Sequence, residues 1–246
     1  MNEKQKYASE WCNSAEYFLE HKNYANLAIQ IKEYDTVLEI GCGTGHSTLA
    51  LLEAGHRVIA VDQNPCCIEL AKKLIEEAGY TINESANDLA SNSVCFYECD
   101  ITEPIFKDKI LNNLTIDVVI CWNIGTYWDK EKLENSIPKM LTYGLTIEQI
   151  YENIESSYGE LVLWHACNIA KIKGCTVHIV DRSLMSLNCF NDTYYKALKN
   201  EFGFKEIKYS NLKATTLSQG GRKLVTNGQV HESNELSIIF ISILMK

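Results

Sequence analysis

Residues 36–49, TVLEIGCGTGHSTL, set an acid, Glu39, at the end of an apolar run and follow it with glycines at alternate positions, Gly41, Gly43 and Gly45. Without a Cβ, such a turn reaches positive φ and lets the backbone lie against a flat or charged ligand. The unpaired N–H groups that open the following helix point the same way, so a carboxylate or a ribose fits there. Further acids close the next apolar runs: Asp62 after 57–61 and Asp100 after 94–99. A carboxylate at the place of Asp62 is able to accept from both hydroxyls of a ribose. Beyond the run 116–121 lies the stretch from Trp122 to Trp128. There Asn123 offers two donors and an acceptor without charge, and Tyr127 and Trp128 offer π-faces for a cationic or aromatic group. His165 and Asp181 are the nearest sequence candidates for a general base, and the competing reading of His165 is a packing residue in an apolar helix.

The elements that must position these residues read as an alternation. Strands are expected at 36–40, 57–62, 94–100, 116–121 and 175–180, all continuous apolar runs of the kind buried on both faces. Between them the spacing predicts a helix from 47 to a Gly55 cap and another that Asn64-Pro65 opens and Gly79 ends. A short helix at 103–112 and helical stretches at 129–142 and 147–172 follow, while 80–92 reads as an exposed connection. Residues 5–31 are expected to be helical in two pieces, carrying Tyr7, Trp11, Tyr17, Phe18 and Tyr24, either as a lid over the ligand or as packing helices. In the tail, a helix at 192–202 precedes strands at 204–209 and 235–244. No helix separates those two strands, so they should be antiparallel neighbours. The 212–234 connection, with Gly220-Gly221 and Asn227-Gly228, is expected to add a hairpin.

Dinucleotide-binding turns space their glycines G-x-G-x-x-G; here the spacing is G-x-G-x-G, which argues against NAD. The run Glu39-Ile40-Gly41-Cys42-Gly43-Thr44-Gly45 instead resembles the first motif of the class I S-adenosylmethionine-dependent methyltransferases, and the resemblance extends over roughly residues 35–182. It implies an α/β fold: a doubly wound, seven-stranded, mostly parallel sheet of the Rossmann-like methyltransferase type, with an antiparallel edge strand and an N-terminal helical lid. It also implies a single domain over 1–246, divided into a helical cap at 1–34, a cofactor-binding core at 35–182, and C-terminal strands with an inserted hairpin at 183–246. The implied cofactor is S-adenosyl-L-methionine. Its expected binding residues are Glu39, Gly41, Cys42, Gly43, Gly45, Asp62, Gln63, Asp100, Ile101 and Asn123, with Asp62 on the ribose hydroxyls and Asp100 on the adenine amino group. Residues 121–128 stand where that family lines its substrate site, without the N/D-P-P-Y pattern of amino-group methylation in DNA. Asn123, Tyr127, Trp128 and His165 are therefore the expected acceptor-side residues, and no metal is required.

The 246 residues, 46% hydrophobic and 22% charged, suit one α/β domain with a substantial core. A formal charge of −9 disfavours a nucleic-acid backbone as partner. Ten cysteines scattered through apolar segments read as reduced core thiols. No signal-peptide pattern opens the sequence and its longest apolar run is too short to span a bilayer, so the expectation is a soluble cytoplasmic protein with no membrane partner. The expected function is N- or O-methylation of a small-molecule acceptor by in-line displacement. The alternatives are a protein or peptide acceptor, a non-catalytic S-adenosylmethionine-binding module, and a nucleotide-dependent oxidoreductase.

Overall fold

The computed structural model describes residues 1–104, 106, 110–124, 130–217, 225–226, 229–230 and 235–246. The chain opens with α1 (Glu3–Glu20), started by a reciprocal cap in which Asn2 accepts the Gln5 N–H and Gln5 accepts the Asn2 N–H, and α2 (Asn23–Gln30). The alternation follows: β1 (Thr36–Ile40), α3 (His46–Glu53), β2 (Arg57–Asp62), α4 (Pro65–Glu77), β3 (Thr81–Ile82), β4 (Ser93–Glu98) and β5 (Val118–Trp122). Four helices, α5 (Lys130–Asn135), α6 (Ile137–Tyr143), α7 (Ile147–Glu152) and α8 (Ile154–Lys173), lead to β6 (Thr176–Ser183). The tail holds α9 (Tyr194–Phe202), β7 (Ile207–Leu217), β8 (Val225–Thr226), β9 (Gln229–Val230) and β10 (Glu235–Met245).

The main sheet runs β3-β4-β2-β1-β5-β6-β10-β7. Every pairing from β3 to β6 is parallel, and β10 is antiparallel to both β6 and β7. From β1 the chain first winds outward through β2 and β4, then returns to place β5 on the other side. That reversal opens a crevice at the carboxyl ends of β1, β2 and β5, where ligands of open α/β sheets bind. One face of the sheet is covered by the N-terminal segment through Trp11, Phe18, Leu27 and Ile31 and by α4 through Ile68, the other chiefly by α8 and α9 through Leu161, Ala166, Cys167, Leu198 and Phe202.

Two expectations are corrected. The sheet has eight strands because Thr81–Ile82, within the stretch read as a connection, pairs in parallel with Ser93 and Val94. The antiparallel strand lies one in from the edge. β10 is buried over most of its apolar second half and needs a partner on each side, whereas β7 is half-exposed almost throughout and closes the edge. β7 also runs well beyond 209, paired with β10 from Ile207↔Met245 to Leu217↔Glu235. The expected hairpin is represented by the antiparallel β8–β9 pairing. No helix among the described residues is long and apolar enough to cross a membrane.

A buried polar chain fixes the end of β5. Trp122 Nε1–H donates to His178 Nδ1 at 3.1 Å, so His178 carries its proton on Nε2, which faces Ser242 Oγ at 2.7 Å. Ser242 donates onward to Gln30 Oε1 at 2.7 Å, tying β5, β6, β10 and α2 together. Burial pulls the His178 pKa down to about 3, so the imidazole is neutral.

Candidate active site

The glycine turn follows β1 with Gly41 and Gly43 at φ of +73° and +54°. The N–H groups of Gly41 and Cys42 both donate to Val61 O, at 2.8 and 3.1 Å, which folds the turn over the end of β2. A Cβ on Gly43 would lie 2.3 Å from Trp11 Nε1, and one on Gly41 would lie 2.4 Å from Ile124 Cδ1. The bare backbone is therefore needed where α1 and the loop after β5 approach the turn. Gly45 serves another purpose: its Cβ would meet the Ala71 backbone at 2.8 Å, so it lets α3 and α4 pack closely.

Asp62 braces this turn. Its Oδ2 accepts the Gly43 N–H at 2.9 Å and its Oδ1 accepts the Asn64 N–H at 2.8 Å, while Asn64 caps α4 through Cys66 N–H. Burial raises the Asp62 carboxyl pKa, with the N–H groups of Asn64 and Gly43 pulling the other way. The Gln63 N–H donates to the carboxylate as well, and a lone-pair direction remains for a further donor.

Asp100 is buried at the end of β4, its Oδ1 receiving the Thr102 N–H at 2.8 Å and its Oδ2 the Tyr158 O–H at 2.6 Å. Asn123 follows β5 at φ +52°, held by its N–H donating to Val180 O at 2.6 Å. It is 3% exposed, yet among the described residues neither Oδ1 nor Nδ2 meets a hydrogen-bonding partner. Leaving a buried amide unsatisfied costs roughly 1–3 kcal/mol, and strained, unsatisfied groups of this kind gather at functional sites.

A cavity of about 50 Å³ joins these groups. Among the expected residues, Gly41, Gly43, Asp62, Gln63, Asp100, Ile101 and Asn123 line it. Glu39, Cys42 and Gly45 are not on its wall. Glu39 is 2% exposed and points to α3, accepting from Ser47 Oγ and Thr48 Oγ1, so it holds the helix start in place. Cys42 is buried in the core against α3 and β2. His165 is half-buried on α8, outside the cavity lining, and desolvation lowers its pKa. Tyr127 and Trp128 lie outside the described residues. Sequence reasoning missed Tyr158 and Val162, which reach the cavity from α8, and had no role for Ile124. The i, i+4 spacing of Tyr158 and Val162 is the one signal that they share a face.

The carboxyl of Glu39, raised by burial to about 7 from an ordinary 4.5, makes a separate prediction. The folded state keeps a proton that the unfolded chain has released between those two pH values, so this contribution is full below pH 4.5 and is lost as pH rises to about 7. Relative to Glu39→Gln, the parent should lose about 3 kcal/mol across that window. Urea titrations of both proteins at pH 4.5 and 7.5 measure it, and parallel pH dependence would contradict it.

A family model described as a methyltransferase domain matches residues 37–143, which carry the glycine turn, Asp62, Asp100 and Asn123. That stretch of the chain is similar to a methyltransferase domain. Among curated proteins, the chain is similar to a mitochondrial ribosomal RNA small subunit methyltransferase of Arabidopsis thaliana, 44% identical over 50 residues, covering 20% of this chain and 13% of that protein. It is also similar to a protein-L-isoaspartate O-methyltransferase of Protochlamydia amoebophila, 30% identical over 110 residues, covering 42% of this chain and 52% of that protein. The chain thus spans at most about half the length of these relatives. A solved structure of precorrin 8w decarboxylase from Methanobacterium thermoautotrophicum aligns over 90% of this chain and 88% of that one, at 18% identity and a TM-score of 0.48.

Proposed function

We propose that the protein transfers a methyl group from S-adenosylmethionine to nitrogen or oxygen of a small-molecule acceptor in the cytoplasm. The observation that carries this reading is Asn123, a buried amide whose two polar atoms have no partner among the described residues, on the wall of a cavity shared with Gly43, Asp62 and Asp100. In this reading Asp62 would accept from the ribose hydroxyls and Asp100 from the base, and the glycines would let the ligand lie against the backbone of the turn. The cofactor, when bound, supplies an electrophilic methyl group. Asn123 would orient the acceptor with its lone pair toward that methyl, and catalysis rests on alignment and on exclusion of water.

Nucleoside-sized ligands occupy pockets of about 300 Å³ or more, against about 50 Å³ here, and in this reading Tyr7 and Trp11, which line the cavity from α1, would move aside as the ligand enters. In this reading residues 1–34 are a movable cap, 35–182 the cofactor core and 183–246 the closing strands.

Relatives named for ribosomal RNA and for isoaspartyl protein make those acceptor classes the competing readings. Against RNA stand the charge of −9 and the lack of any lysine or arginine among the described residues lining the cavity. The test is incubation of the protein with methyl-labelled cofactor and fractionated extract. Label in the small-molecule fraction supports the proposal; label confined to protein or RNA, or no transfer at all, overturns it.

Asp62→Ala should weaken binding of the demethylated product, S-adenosylhomocysteine, by about 1.5–3 kcal/mol, for the lost charge-assisted bonds. Calorimetry measures this, and an unchanged dissociation constant in a folded variant would reduce Asp62 to a brace for Gly43 and Asn64.

A further inference from the structure

At the base end of the cavity, α8 brings Tyr158 onto the acid that closes β4. The Tyr158 O–H donates to Asp100 Oδ2 at 2.6 Å while Thr102 N–H donates to Oδ1 at 2.8 Å, so both carboxylate oxygens act as acceptors in a fixed plane. The same hydroxyl stands 3.4 Å from Gln63 Oε1, and Gln63, Asp100 and Tyr158 all line the cavity. Tyr158 is 3% exposed and Asp100 8%, so water competes little for either. A carboxyl group whose two oxygens both accept in this way has one unused lone-pair direction on each, which makes it selective for a ligand edge that donates.

We propose that Tyr158 is a positioning residue for base selectivity: by orienting Asp100 as an acceptor, it makes the site prefer a 6-aminopurine over a 6-oxopurine nucleoside. This rests on the reading of the cavity as the S-adenosylmethionine site. A 6-amino group donates to the free lone pair of Asp100, whereas a 6-oxo group sets an oxygen against a carboxylate. A site built to pair a donor rejects an analogue lacking it far more strongly than an apolar pocket rejects a change of shape.

The test is calorimetric titration of the parent, Tyr158→Phe and Asp100→Asn with S-adenosylhomocysteine and with its 6-oxo counterpart, S-inosylhomocysteine. The parent is expected to favour the amino ligand at least a hundredfold. Tyr158→Phe, which keeps the ring and its packing, should narrow that ratio about tenfold. Asp100→Asn, with an amide that donates, should bring the two affinities within tenfold of each other. A merely structural Tyr158 would weaken both ligands alike and leave the ratio unchanged, and that outcome overturns the proposal. If the parent binds neither ligand, the cofactor reading fails and the proposal falls with it. If the parent binds both equally, only the selectivity proposal falls.

Discussion

Gly43→Val is expected to abolish S-adenosylhomocysteine binding while leaving the sheet folded. The new Cβ would sit 2.3 Å from Trp11 Nε1 at a residue whose φ is +54°. A β-branched residue in that conformation is strained by roughly 1–3 kcal/mol. The contact atom belongs to a side chain on a terminal helix, so Trp11 and α1 can give way and the core survives. The valine methyls, however, fill the face of the turn that the ligand must approach, and the loss in affinity should exceed a hundredfold. Gly45→Ala makes the contrast, because its clash is with the Ala71 backbone at 2.8 Å. That variant should lose stability by overpacking, on the order of 1–3 kcal/mol. Calorimetry and thermal unfolding of the pair separate the effects; a Gly43→Val protein that binds at parental affinity would remove the turn from the site.

Asn123→Gly should gain stability and lose activity together. Its buried Oδ1 and Nδ2 have no partner among the described residues and its φ is +52°, so glycine removes two desolvated polar atoms and accepts the backbone without strain. Against the greater freedom of glycine in the unfolded chain, the net gain should be about 1 kcal/mol. If the amide is kept to orient an acceptor, methyl transfer should fall about a hundredfold, the scale of losing one aligned polar group, with S-adenosylhomocysteine affinity little changed. A variant that is destabilised and transfers normally would make Asn123 a structural residue. The expectation follows a general trade in which functional positions are held at a cost to stability.

The central half of the sheet was legible because buried parallel strands are continuous apolar runs, and because the acids Asp62 and Asp100 mark where two of them end at the ligand rim. The glycine turn was legible for a related reason, since alternate glycines announce positive φ whatever surrounds them. Which way Glu39 points was not: β1 is buried along its whole length, so alternation gives no sign of which side chains face α3 and which the cavity. Gly45 showed the same ambiguity, its requirement coming from Ala71 on α4, a contact between helices that sequence spacing does not encode. Tyr158 was hidden because α8 buries residues on most of its circumference, including Ser157, Leu161, Val162 and Leu163, so no stripe marks the cavity side. β3 was hidden by its length, two residues in a polar stretch. The place of β10 between β6 and β7 follows from its burial against both neighbours, which an apolar run alone does not distinguish from an edge strand with one covered face.

The most direct measurement is calorimetric titration of the unmodified protein with S-adenosylhomocysteine, S-adenosylmethionine, NAD and NADP under one set of conditions. The account predicts that both S-adenosyl ligands bind at one site per chain, that each is weakened in Asp62→Ala, and that neither dinucleotide binds. Saturable binding of NAD or NADP with no response to the S-adenosyl ligands would contradict it.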